Sequence, residues 1–254
     1  MKIAVITGAS SGMGREFVKQ LTSLEAFDEV WVIARREDRL LDLKKEMGDF
    51  IRPVPLDLQK EEDLKKYQKL LEENAPEVAV LVNASGYGKF EAFSDLDLDS
   101  QLGMIDLNAK ALTAITYMTL PYLKKGSRVY QIGSLSSFQP VPYIGVYGAT
   151  KAYVLSFTRA INAELRHTGI KMMAVCPGWV RTEFFDRAVV DNDVITYYNK
   201  FFTSKQVVSR AIRDMKKGKD VSVVGFSIRA QVVLTKLLPH KIVMKIWLKQ
   251  QKKK

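Results

Sequence analysis

Cysteine is almost absent from this chain: Cys176 is the only one in 254 residues. No disulfide can form within the chain, and a reducing, cytoplasmic compartment fits best. Long apolar runs are missing as well. The opening segment MKIAVITGASSGMG has four consecutive apolar residues, Ile3 to Ile6, before threonine and glycine follow, which is too short for a secretory signal. Nowhere does the chain approach the ~18 uncharged apolar residues of a membrane-spanning helix. No Pro/Gly/Ser-rich linker, repeat or low-complexity tract divides it, so one folded unit is expected. Acidic residues are scarce in one place. Residues 200–254 hold 15 Lys/Arg and 2 Asp/Glu, against 39 and 28 in the whole chain. The formal net charge of +11 therefore belongs to the last fifth. Such a patch suits nucleic acid, anionic lipid or an acidic carrier protein, or is simply a solvated surface. No recognisable nucleic-acid module accompanies it, so no nucleic-acid partner is expected.

What is present is the composition of a folded soluble protein, 47% apolar and 26% charged. Short β-rich runs at 2–7, 29–34, 50–55, 78–83, 128–133, 170–177 and 220–225 alternate with helical patterns. The helices are expected at 13–24, around Leu40 to Met47, and at 60–73, 100–122, 147–167 and 204–217. The strands are apolar throughout rather than alternating, as when both faces of a sheet are covered. The pattern predicts an α/β fold: a Rossmann-type, doubly wound, seven-stranded parallel sheet with right-handed crossovers. Residues 1–225 would form this domain and residues 226–254 a basic, amphipathic, helical extension. Such a sheet places a ligand outside the carboxyl ends of its strands.

The first βα turn reads TGASSGMG, with Gly8, Gly12 and Gly14 in G-x-x-x-G-x-G spacing. Here the chain must turn sharply, let a pyrophosphate approach the backbone and present free N–H groups at a helix start. Ser10 and Ser11 add hydroxyls. After the second strand stand Arg35 and Arg36, where an acidic residue would accept from the ribose 2′-hydroxyl of NAD. Guanidinium groups there favour the 2′-phosphate of NADP(H); Arg35 is the stronger candidate and Arg36 the more readily solvated. Further on, YGATK puts Tyr147 and Lys151 one turn apart on a helix face. Carbonyl reduction needs a proton donor at the oxygen, and an ammonium beside a phenol lowers its pKa from near 10 toward working pH. Ser134, directly after the fifth strand, can orient and polarise a substrate oxygen.

TGASSGMG, NASG at 83–86, Asn108, Ser134, YGATK and PGWVRT at 177–182 stand in the order and spacing of the short-chain dehydrogenase/reductase family, which this chain resembles from residue 2 to about 225. The resemblance implies a catalytic set of Asn108, Ser134, Tyr147 and Lys151. Asn108 would hold a water in a proton relay, and Lys151 would bind the nicotinamide ribose. It implies cofactor contacts from Gly8, Ser10, Ser11, Gly12, Met13 and Gly14, from Asp57 and Leu58 at the adenine, and from Asn83, Ala84, Ser85 and Gly86. NASG departs from the family's usual NNAG in its middle pair. Pro177, Gly178, Val180 and Thr182 would meet the nicotinamide. No metal is expected, and Cys176 reads as a small core residue.

Substrate contacts are expected from the loops around 135–146 and after Gly178: Ser134, Phe138, Tyr143, Tyr147, Trp179, Phe184 and Phe185, with Tyr197, Tyr198 and the aromatic YGKFEAF stretch (87–93) as further lid candidates. Their aromatic character suits a hydrophobic ketone or aldehyde and its alcohol, of steroid, bile acid, retinoid or fatty-acyl type. The expected enzyme is thus an NADP(H)-dependent oxidoreductase, a homodimer or homotetramer. Rival readings are a 3-oxoacyl-carrier-protein reductase and a non-catalytic NADPH-binding sensor or scaffold. In the tail, Ile242, Val243, Ile246 and Trp247 form one face and Lys241, Lys245, Lys249 and Lys252 another. Two readings stand: peripheral contact with an anionic membrane, or a cover for the active site or an oligomer contact, with the balance slightly toward the second.

Overall fold

The apolar runs fold as strands β1 (Lys2–Thr7), β2 (Glu29–Ala34), β3 (Ile51–Pro55), β4 (Glu77–Asn83), β5 (Leu123–Ile132), β6 (Lys171–Val175) and β9 (Val221–Ser222). In the computed structural model, which describes residues 1–189 and 194–253, they form one parallel sheet in the order β3-β2-β1-β4-β5-β6-β9. Lys254, the tip of the expected tail, lies outside the described residues. The strand order reverses between β1 and β4, where a doubly wound sheet opens its ligand crevice. Alternation along each strand divides the core into two layers. Ala4, Ile6, Val30 and Val32 pack with Phe17, Val18 and Leu21 of α1 (Gly12–Thr22) and Val208 of α8 (Ser204–Lys216). Ile3, Val5, Trp31 and Ile33 face the other way, onto Leu64, Tyr67 and Leu71 of α3 (Glu61–Asn74).

Several elements differ from the sequence expectation. The seventh strand is only two residues long, pairing with Ala174 and Val175 of β6. The helix expected at 100–122 is α4 (Leu98–Ile105), a π-helical turn (Asp106–Ala111) and α5 (Leu112–Thr119). Asn108 sits in that wider turn. A small second sheet pairs β7 (Trp179–Arg181) in parallel with β8 (Phe201–Thr203); its strands are three residues long, below the length at which periodicity speaks. The tail is two helices, α9 (Phe226–Leu237) and α10 (His240–Gln250), separated at Pro239.

Candidate active site

Two hollows meet at the carboxyl edge of the sheet. The smaller, of about 170 Å³, is a groove built from the turns after four adjacent strands. Gly8, Ser10, Ser11, Gly12, Met13 and Gly14 come from the turn after β1, Arg35 and Arg36 from β2, Asp57 and Leu58 from β3, and Ala84, Ser85 and Gly86 from β4. Gly8 and Gly12 have φ of 67° and 55°, the left-handed region that favours glycine. A Cβ on Gly14 would collide with the Gly8 carbonyl, 2.6 Å from its carbon. The turn therefore folds flat against the start of α1. Ser11, the N-cap of α1, makes no side-chain cap bond, so the first-turn N–H groups remain for an anion. Thr7 ties the two sides of the crevice by accepting from the backbone N–H of Ala84 and Ser85, both at 3.1 Å. This glycine cradle and helix start fit a dinucleotide pyrophosphate.

The arginine expected to be the more readily solvated is the one with partners here. Arg36, not Arg35, is held in place: it donates to Ser10 Oγ and Ser11 Oγ at 3.1 Å each and pairs with Glu183 at 2.8 Å. Arg35 also lines the groove but is exposed. The hydroxyls of the glycine turn lie nearer Arg36, and a solvent-facing side chain has no such partner. Arg36 in turn holds the Glu183 carboxyl below its usual range. Asn83 could reach a cofactor only through its backbone. Its side chain is buried and donates to Thr116 Oγ1 and Gln131 Oε1 at 3.0 Å, because alternation turns it into the sheet interior rather than the groove.

The larger hollow is a cavity of about 450 Å³. Met13, Ala84, Gly86, Thr182 and Phe184 line both it and the groove, so the two are continuous. Ser134, Tyr147 and Lys151 line the cavity, with Pro177, Gly178, Trp179, Val180 and Phe185. Tyr147 and Lys151 lie on α6 (Gly145–Glu164), and the Lys151 ammonium is 5.7 Å from the Tyr147 ring centre. Lys151 is 4% exposed and donates to the Ile132 carbonyl at 2.8 Å. Asn108 is fully buried; it accepts from the Tyr87 backbone N–H at 3.0 Å and donates to its carbonyl at 2.8 Å and to Thr150 Oγ1 at 3.1 Å. Around Gly86 the groups converge: a Cβ there would lie 2.8 Å from Asn108 Oδ1 and 3.4 Å from Lys151 Nζ.

The expected acidification of Tyr147 by its neighbour does not hold. Burial dominates and pushes the phenol up to about 12, the Ser134 hydroxyl acting weakly the other way. Burial also pushes the Lys151 ammonium down to about 8. For both groups desolvation is the largest influence, and the Lys151 ammonium is bonded to the Ile132 carbonyl. Cys176, behind them, is wholly buried, its thiol raised to about 12 by desolvation.

Phe138 and Tyr143 do not line the cavity. Phe138 packs against the core with Lys236 over its ring at 5.6 Å. Tyr143, at φ 68°, has the Lys253 ammonium at 5.4 Å. Phe90 stands in their stead, its ring centre 5.9 Å from Trp179, 6.0 Å from Phe184 and 6.4 Å from Tyr147. The tail completes the wall: Leu234 and Leu238, then Val243, Ile246 and Trp247, line the cavity. Trp247 donates to the Pro142 carbonyl at 3.1 Å. Gln251, 1% exposed, accepts from the backbone N–H of Thr196 and Tyr197 at 2.9 and 3.0 Å. Glu183 and Gln251 carry no sequence signal; Val243 and Trp247 stood on the apolar face of the tail, which marks them as buried without saying against what.

Residues 2–193 match the model of the short chain dehydrogenase family. Sulfoacetaldehyde reductase 2 of Chromohalobacter salexigens is 34% identical over 188 residues, 72% of this chain and 74% of that one. Among solved structures, a short-chain dehydrogenase from Sphingobium yanoikuyae in complex with NADPH superposes with a TM-score of 0.79 at 25% identity, covering 93% of this chain and 94% of the other. The bulky-bulky ketone specific alcohol dehydrogenase from Comamonas testosteroni does so with 0.72 at 25% identity, covering 88% and 86%.

Proposed function

Since the chain belongs to the short-chain dehydrogenase family, an oxidoreductase family, we propose that it is an NADP(H)-dependent reductase of hydrophobic ketones or aldehydes. The observation that carries this reading is the shared wall: the groove and the cavity run together beside Ser134, Tyr147 and Lys151. The bound dinucleotide would supply the hydride. Gly8, Gly12 and the start of α1 would hold its pyrophosphate, Asp57 and Leu58 its adenine, and Thr182 with the backbone of Val180 its carboxamide. Arg36, set on Ser10 and Ser11 with Arg35 beside it, would take a 2′-phosphate, which favours NADP(H) over NAD(H).

Ser134 would polarise the carbonyl oxygen and Tyr147 would pass its proton to it. A phenol raised to about 12 stays protonated at neutral pH, so the resting site is poised as a donor, the state reduction needs. Asn108 would act by holding the 87 loop beside Lys151. The cavity walls are predominantly aromatic and aliphatic, with Ser136, Gln139, Asn199, Gln231 and Gln250 as uncharged polar groups among them, and Lys151 is the one cation lining it among the described residues. Such a lining suits a bulky apolar ketone, as in the Comamonas relative, better than a sulfonate.

A homo-oligomer fits exposed Leu102, Ile105, Tyr117 and Tyr153 on α4, α5 and α6, where Thr113 and Tyr153 share a 2.7 Å hydrogen bond. A cytoplasmic place of action fits the single buried, unpaired cysteine. NADPH oxidation measured against a panel of steroidal, aryl and acyl ketones tests the reading; no turnover on any of them would refute it. Tyr147→Phe should keep NADPH binding and lose about a hundredfold or more in turnover.

A further inference from the structure

The outer side of the tail presents a surface the proposed reaction does not use. On α9, Ile228, Val232 and Thr235 face the core. Phe226, Val233 and Leu237 fall on the opposite side of the helix and are 82%, 57% and 76% exposed. On α10, Val243 is the buried contact, while Lys241, Lys245 and Lys249 recur every four residues on the solvent side. Ile242 and Ile246, 44% and 45% exposed, lie between that basic row and the cavity. Ile246 and the half-exposed Leu234 also line the cavity, so part of its rim adjoins these exposed tail residues.

Charge selects the occupant. From Phe226 onward the sequence has eight Lys/Arg and no acidic residue. A second copy set tail to tail would bring the same cations and no carboxylate of its own tail to meet them. The apolar residues of α4, α5 and α6 already offer self-association a different surface. An anionic bilayer supplies both halves of the match, acyl chains for the exposed apolar residues and headgroup charge for the lysine row. No helix among the described residues is long and apolar enough to cross a membrane, so the contact lies in the interface plane. We infer that the outer face of α9 and α10 docks on anionic lipid and turns the cavity rim toward the bilayer.

Co-sedimentation of the full chain with vesicles tests this, using phosphatidylcholine alone and an equimolar phosphatidylcholine–phosphatidylserine mixture. The protein should pellet with the mixed vesicles only, and salt should release it. Lys241→Gln, Lys245→Gln and Lys249→Gln together should weaken partitioning on the order of a hundredfold, at about fivefold per lysine. Phe226→Ser with Leu237→Ser should weaken it by about tenfold or more. These side chains are exposed, and far-UV circular dichroism verifies that each variant folds. Equal pelleting on both vesicle types, or none on either, would overturn the inference. So would a Phe226/Leu237 variant that changes the mass in light scattering while lipid binding stays put, since the face would then belong to a second copy. Lipid binding is read without turnover, so the result is independent of the reductase reading.

Discussion

The groove proposed for the dinucleotide takes Gly8, Arg36, Asp57 and Ala84 from turns at the ends of four adjacent strands. The cavity takes Phe90, Val141, Trp179, Leu234 and Trp247 from segments far apart in the chain. The groove is shaped by backbone and by missing side chains; the cavity is shaped by side chains that docking brings together. A backbone-built site therefore fails on adding one carbon, whereas a side-chain-built site fails on losing an anchor. Tyr147 and Lys151 stand where the two meet, and there burial outweighs pairing.

The hardest blow to this contrast falls on the groove. Gly14→Ala puts a methyl group into the Gly8 carbonyl, with only backbone nearby to yield. It should cost about 3 kcal/mol of stability and abolish NADPH binding, read by urea unfolding and fluorescence titration. Normal binding would mean the turn is not rigid. At the junction the sign reverses. Lys151 titrates near 8 when folded against 10.5 when unfolded. Between those values the unfolded chain holds the extra proton, so stability rises with pH across that window. At neutral pH the buried ammonium costs about 3 kcal/mol. Lys151→Met should therefore be inactive yet more stable at pH 7, an advantage that fades as pH climbs from 8 toward 10.5, as urea midpoints across that range would register.

The cavity should be sensitive at its anchors. Gln251→Ala strands the N–H groups of Thr196 and Tyr197 and should cost about 2 kcal/mol. Substrate KM should rise while NADPH affinity stays, and equal losses in both would erase the distinction between the two regions. The smallest effect concerns specificity within the groove. Arg36→Ala should weaken NADPH about tenfold relative to NADH, some 1.4 kcal/mol, and more than Arg35→Ala does. Glu183→Gln should tighten NADPH severalfold by releasing Arg36 from its ion pair. Competitive titration with both nucleotides ranks the three variants.

Local signals decided much of this protein. Apolar runs marked the strands and their parallel order; β1, β2 and β4 fall within a residue of the stretches expected from sequence alone. The groove could be read because its chemistry needs glycine at positions adjacent in the chain, so Gly8, Gly12 and Gly14 announce themselves. Tyr147 and Lys151 were legible for the same reason, sharing one helix turn. Only the tertiary structure decided the rest. Whether Arg35 or Arg36 meets the serines depends on a side-chain direction at a strand end. That Phe90 and Trp247 face the cavity while Phe138 and Tyr143 do not depends on how loops and tail pack. The pKa values of Tyr147 and Lys151 followed depth, which has no period in sequence: desolvation grows with everything packed around a group, and most of that comes from residues far away along the chain.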